Sequence, residues 1–227
     1  MNRKRLSDYG IRVGCMPTGP LDKITDVPGV TVGHATVGDA GPHTGVTVIM
    51  PCEDNMFAKK LTAASFVLNG FGKTAGLVQV DELGTLETPI ALTNTLNVGL
   101  VHDALVTVMA ERCAADHVAL HSINTVVGEC NDSQLNAIVD RPIHEAHVRE
   151  AIAGACRDFD EGDVGAGAGT VCHGLKGGIG SASRQIEIAG KTYTLGVLVQ
   201  SNHGCLEELT VCNRRLGEEI IAKRNAR

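Results

Sequence analysis

The sequence predicts a layered domain of mixed α and β structure, and three observations carry that reading. Groups of strand-like runs alternate with helix-like stretches, no internal repeat or low-complexity linker divides the chain, and aromatic residues make up only 3% with no Trp. A core that must be built from Val, Ala, Leu and Ile suits sheets and helices stacked in layers, each element burying one face. At 227 residues the chain can bury a sizeable core, and residues 1–227 are read as a single domain.

The elements follow in order. "GVTVGHATV", "TGVTVIMP" and "AASFVLNG" are rich in β-branched residues and bounded by Gly, Pro or Asn, which predicts three strands. "PIALTN" adds a short fourth. In "NVGLVHDALVTVMAERCAAD" the apolar Leu100, Val101, Leu105, Val108 and Met109 recur at close to helical spacing. "SINTVVGEC" reads as a strand, and "IHEAHVREAIAGACRDF" as a second helix with Pro142 near its start. "EGDVGAGAGTVCHGLKGGIGS" is glycine-dense but still carries strand residues. "RQIEIAG" and "KTYTLGVLVQSN" then predict two strands joined by an Ala-Gly-Lys turn, and the chain closes on the basic, helix-like "EEIIAKRNAR".

Charge and cysteine usage narrow the function. A net charge of −6 argues against nucleic acid or an anionic membrane as the main partner. The eight cysteines sit in apolar contexts with no CxxC pair, which predicts reduced, mostly buried thiols rather than a disulfide framework or a metal centre. The basic start "MNRKRLSDYG" lacks a following apolar stretch, and no apolar run approaches a membrane span, so a cytoplasmic protein is expected.

The run "GGIGSAS", Gly177 to Ser183, admits three readings: a phosphate cradle, a nucleophile turn, or a plain tight turn. A Walker loop needs Lys and then Ser or Thr at its end; here Lys176 precedes the glycines. The dinucleotide fingerprint fails as well, because "GAGAGT" has Gly165, Gly167 and Gly169 but Thr170 where its last Gly belongs. A Ser hydroxyl needs a nearby base to become a nucleophile, and a free α-amino group can be that base. Glycine before such a Ser leaves the preceding carbonyl open to attack. Gly180–Ser181 has this chemistry.

An ordered set of further stretches adds to it: "ITDVPGVTVGH", "TGVTVIMP", "FVLNGFGKTAGL", "PIALTNTLNVG", "VVGECNDSQLN", "GDVGAGAGTVCHGLKGGIGSASR" and "LGVLVQSNHG". From about Leu21 to Gly217 the sequence resembles the DmpA-type family of L-aminopeptidase/D-esterases, which includes β-peptidyl aminopeptidases. The resemblance implies a four-layer α/β/β/α sandwich of the N-terminal-nucleophile-hydrolase kind. It implies self-cleavage at Gly180–Ser181 into residues 1–180 and 181–227, with Ser181 as the new N-terminal nucleophile. It also implies an amide donor for the oxyanion in "ECNDSQLN", first Asn136 and second Asn131, either of which could instead cap a turn. Glu82 in "VDELG" falls where relatives hold the substrate amine, with an exposed turn as its other reading. Ser201 and Asn202 would bond to the nucleophile from the end of a strand.

The substrate so implied is a short peptide, amino-acid amide or ester with a free amine, in a homo-oligomer without metal or organic cofactor. An acyltransferase of the same type, or a non-catalytic binding subunit, remains the alternative. His144 and His147 sit three apart on one helix, like half a metal site, but no matching cluster completes them in the sequence. His173 and His203 flank the active segment and could polarise a hydroxyl. Relatives run on well past the stretch that aligns with "RRLGEEI", so a shortened C-terminus is expected here, leaving apolar sheet surface to be covered.

Overall fold

Alternation of residues that face opposite ways is what builds the central sheet. The computed structural model describes residues 4–38 and 43–226; the first three residues of the basic start and Arg227 lie outside them. In chain order the elements are β1 (Thr31–Val37), β2 (Thr44–Met50), β3 (Leu61–Thr62), α1 (Leu77–Leu83), β4 (Thr85–Leu86), β5 (Ile90–Asn94), α2 (Val98–Ala115), β6 (Val126–Cys130), α3 (Glu145–Ala153), β7 (Val171–Cys172), β8 (Leu175–Lys176), β9 (Gly178–Ile188), β10 (Lys191–Ser201) and α4 (Leu216–Asn225). The main sheet has the order β1-β2-β5-β6. β1 and β2 run antiparallel with Thr31 opposite Met50, and β5 runs antiparallel to β2. β6 lies parallel to β5, with Ile90 opposite Val126, because the connection between them is long enough to carry α2.

The two faces of this sheet bury different clusters. Val46, Val48, Ala91 and Val127 pack with Val101 and Leu105 of α2 and Val148 and Ala151 of α3. On the other face Val32 and Ile49 meet Phe159, Ile179 and Leu198. That second cluster seats the long β9–β10 hairpin across the sheet. The hairpin turns through Ala189 and Gly190, both at positive φ (51° and 74°), the geometry of a two-residue turn whose twist matches its strands. Along β10 the inward residues are partly buried, whereas Tyr193, Leu195, Val197 and Val199 are 45–51% exposed, so an apolar row faces outward.

Two elements differ from the sequence expectation. "AASFVLNG" is not a strand: β3 stops at Thr62, and Phe66, Leu68 and Phe71 stand 84–86% exposed. β-propensity alone cannot form a ladder where no neighbouring strand offers one. The run "GGIGSAS" is not a turn but part of β9, paired from Gly178 opposite Ser201 through Ser183 opposite Gly196. Its glycines serve close approach. The segment at Gly162 exchanges two backbone hydrogen bonds with Ile179, at 2.7 and 2.9 Å. A Cβ on Gly178 would lie 2.3 Å from the Gly162 carbonyl oxygen. The cysteines are free as expected, but only Cys113 and Cys130 are buried, because most of the others fall on loops outside the packed faces.

Candidate active site

Ser181 sits within a regular ladder, opposite Leu198. Its hydroxyl donates to the Val197 carbonyl at 2.7 Å and accepts from the Ile24 amide at 2.7 Å. Its own amide donates to Glu161 Oε1 at 2.7 Å, and its carbonyl accepts from Arg5 at 2.9 Å. Arg5 also pairs with Glu161 at 3.1 Å. Burial pushes the Glu161 carboxyl above its usual range, against the pull of Arg5 and the Ser181 amide. Gly180 and Ser181 line a cleft of about 1590 Å³ between β9 and the N-terminal segment. The Gly180–Ser181 bond is therefore reachable, but the hydroxyl is committed in both directions.

The other polar candidates gather elsewhere. The register places Ser201 opposite Gly178, three residues from the Ser181 pair, which is roughly 10 Å along the strand. Ser201 Oγ bonds both the carbonyl and the amide of Gly178, at 3.2 and 3.3 Å, so it clamps the hairpin rather than a nucleophile. Beyond it, Asn202 donates its amide to the Asn131 carbonyl at 3.3 Å. These two asparagines line a pocket of about 230 Å³ with Asn69, Phe71, Lys73, Thr95 and Glu129. The pocket and the Ser181 cleft share no lining residue.

Three segments shape this pocket. Glu129 stands near the end of β6, beside Thr95, which directly follows β5; parallel strands with a helical crossover bring these ends together. Glu129 accepts the Lys73 amide at 3.0 Å on one oxygen and the Thr95 hydroxyl on the other. Among the described residues no Lys or Arg side chain comes within ion-pairing distance of it, since the Lys73 ammonium turns back to the Phe71 carbonyl. Asn131 uses its side-chain oxygen in a turn, accepting from Ser133 N at 3.0 Å, and Asn202 is exposed. Between them Cys130 is no nucleophile: burial first, then the nearby Glu129 and Asp132 carboxylates, pushes its thiol up to about 12.

Asn136 belongs under the pocket, not in it. It is 5% exposed, and its amide donates to Asp132 Oδ1 at 3.0 Å. Asp132 Oδ2 accepts from Asn94, which also donates to Thr44. One N–H of the Asn136 amide is thus held by a buried carboxylate, and Asn136 lines neither cavity. Glu82 lies on the exposed side of α1 and lines neither cavity. Glu129, inside the quoted "VVGECNDSQLN", is the carboxylate the sequence reading passed over; only the β5–β6 pairing shows which acid faces the pocket. His144 and His147 do not begin a metal site. His147 Nδ1 accepts the His144 amide at 2.9 Å and caps α3.

The backbone superposes on solved structures. It matches an L-aminopeptidase D-Ala-esterase/amidase from Ochrobactrum anthropi with a TM-score of 0.88 at 33% identity, over 96% of this chain and 63% of that one. That enzyme is described as a prototype of the serine aminopeptidases and a variant of the Ntn hydrolase fold. The PH0078 protein from Pyrococcus horikoshii OT3 matches with a TM-score of 0.92 at 45% identity, over 96% of this chain and 64% of that one. The fold is thus that of the N-terminal-nucleophile hydrolases, as the resemblance implied. The curated beta-peptidyl aminopeptidase BapA of Sphingosinicella xenopeptidilytica is 38% identical over 226 residues, 95% of this chain and 56% of that protein. The chain belongs to peptidase family S58, whose family model matches residues 22–226. It spans just over half the length of that curated relative.

Proposed function

We propose that this chain forms the substrate-binding half of a hydrolase that releases N-terminal residues from short peptides, amides or esters. The observation that supports it is Glu129, a carboxylate with no cationic partner among the described residues, in a small pocket beside the Asn131 and Asn202 amides. A substrate ammonium supplies the missing charge. The adjacent acyl oxygen then faces the asparagine N–H groups, which stabilise the negative charge that grows on it in the transition state. Among the described residues the one hydroxyl lining the pocket, Thr95, is given to Glu129. In this reading the nucleophile comes from outside the pocket's present lining, on chain beyond these 227 residues or on a partner, and Ser181 is a structural strand residue. Attack by water on the acyl-enzyme gives hydrolysis; attack by an amine gives acyl transfer.

Calorimetric titration tests the pocket without needing turnover. A free-amine amino-acid amide should bind, and its N-acetylated counterpart should bind about 10- to 100-fold more weakly, since a hydrogen bond to a charged group contributes about 1.5–3 kcal/mol. Glu129→Gln should weaken the free amide by the same factor and leave the acetylated one unchanged. Equal binding of both compounds by the unaltered chain would remove Glu129 from this role.

A second reading keeps Ser181 as a self-released nucleophile, and one contact favours it. The Ser181 amide already touches Glu161, so an amine freed there would find a carboxylate at 2.7 Å. Intact mass separates the two readings. Cleavage before Ser181 leaves 180 and 47 residues, since 227 − 180 = 47, and Ser181→Ala should abolish it; an unbroken chain favours the pocket reading.

A further inference from the structure

Beside the pocket, Cys172, His173 and His203 bring one ligand atom each to within 4.8 Å of one another. Two of these residues are adjacent in the tight β7–β8 turn, and the third follows β10. The sequence does not reveal the set, because 29 residues, 174 to 202, separate its two halves. They meet because the His173 amide donates to the His203 carbonyl at 2.8 Å, which ties the turn to the end of the hairpin. The two rings stand edge to face with centroids 5.0 Å apart.

We infer that these three side chains form a site for a divalent transition-metal ion, Zn²⁺ first, with a fourth position left for water. Sulfur and imidazole nitrogen are the donors such ions prefer, and hard cations would instead need a cage of oxygens. The spacing agrees. Tetrahedral zinc with Zn–S of about 2.3 Å and Zn–N of about 2.0–2.1 Å places sulfur and nitrogen roughly 3.5 Å apart. Cys172 Sγ and His203 Nδ1 are 3.7 Å apart.

A second observation concerns His173. Its Nδ1 lies 2.9 Å from the Cys205 carbonyl oxygen, a group that can only accept, so that nitrogen carries the proton and donates. In the neutral ring Nε2 then carries the lone pair. Metal-bound histidines are oriented in this way, by giving the other ring N–H to a carbonyl or carboxylate. Gly204 makes room for it: a Cβ there would lie 2.4 Å from both Cε1 and Nδ1 of the His173 ring. The thiol must lose its proton on binding, so each ion bound releases one proton to the buffer while the imidazoles bind as neutral ligands.

The test uses reduced, chelator-treated full chain with Zn²⁺ or Co²⁺ alone. One ion per chain should bind, with about one proton released when calorimetry is repeated in buffers of different ionisation heat. Co²⁺ should give a thiolate charge-transfer band. Cys172→Ser should abolish the band, and His203→Ala should weaken binding more than about 10- to 100-fold, the range already seen for losing an outer-shell partner. Gly204→Ala, which leaves all three ligands in place, should cost affinity within that range. His144→Ala/His147→Ala should bind as the unaltered chain does. Absence of binding, or a band that survives in the Cys172→Ser/His203→Ala double variant, would overturn the proposal. Thermal melts of each variant without metal, matching the unaltered chain, make a lost band a loss of ligand and not of fold.

Discussion

Replacing Asp132 by Ala should destabilise the protein more than replacing either of its amide partners. Asp132 is 1% exposed and binds Asn136 Nδ2 at 3.0 Å and Asn94 Nδ2 at 3.2 Å, one on each oxygen. Truncation leaves both asparagines with a buried N–H and no partner, and each such group costs about 1–3 kcal/mol. Removal of a buried charge returns part of that. Asn94 also keeps its bond to Thr44 at 2.9 Å. The net loss is about 2–4 kcal/mol, or roughly 4–16 °C in melting temperature for a chain of this size. Asn136→Ala should lose only about 1 kcal/mol, because the Asn136 side-chain oxygen is itself buried without a partner and its deletion relieves that burden. Urea unfolding followed by far-UV circular dichroism measures both, with an unchanged m-value as the condition for comparison. If Asp132→Ala falls within about 0.5 kcal/mol of the unaltered chain, or Asn136→Ala proves the costlier change, the network does not hold the pocket floor.

Two other outcomes are expected. Asp26 is buried, which raises its carboxyl, but bonds from Ser183 and from the Leu21 and Lys23 amides outweigh this and hold it below 3.8. Its stabilisation is therefore present above about pH 4 and is lost as pH falls through the lower folded value. Ser183→Ala should be less stable at neutral pH yet lose less stability on acidification, as acid-unfolding curves of the two proteins would show; parallel curves would contradict this. The outward row Tyr193, Leu195, Val197 and Val199 should make the isolated chain self-associate. Leu195→Glu/Val197→Glu should shift light scattering toward monomer, whereas a monomeric unaltered chain would show that the row is tolerated bare.

The layered class and most elements were legible because they rest on local patterns. The β-branched run "TGVTVIMP" marks a strand, and the helical spacing of Val101, Leu105 and Met109 marks a face that must be buried. The glycine run misled for a physical reason: glycine permits turns, but it also permits one backbone to lie against another, and a sequence does not say which. Gly178 against Gly162 is the second case. The pocket was half legible. Asn131 and Asn202 are among the candidates the sequence offers, but Glu129 is not, since its position depends on the parallel pairing of β5 with β6. Ser181 could be picked out by its neighbours, while the hydrogen bonds to Val197 and Ile24 that occupy its hydroxyl come from distant segments.

The pocket draws on residues from Asn69 through Thr95 and Glu129 to Asn202, so its walls are spread over 134 positions of the chain, counting from 69 to 202 inclusive. Contacts so far apart in sequence form late and slowly, because each must overcome the entropy of closing a long loop. During synthesis the β1–β2 hairpin and the β5–α2–β6 unit can pair as they emerge, yet the recognition surface stays open until the last hairpin docks and delivers Asn202. A chain interrupted before β10 would carry most of the sheet and none of the completed pocket. Order of emergence thereby ties completion of the pocket to the docking of β10.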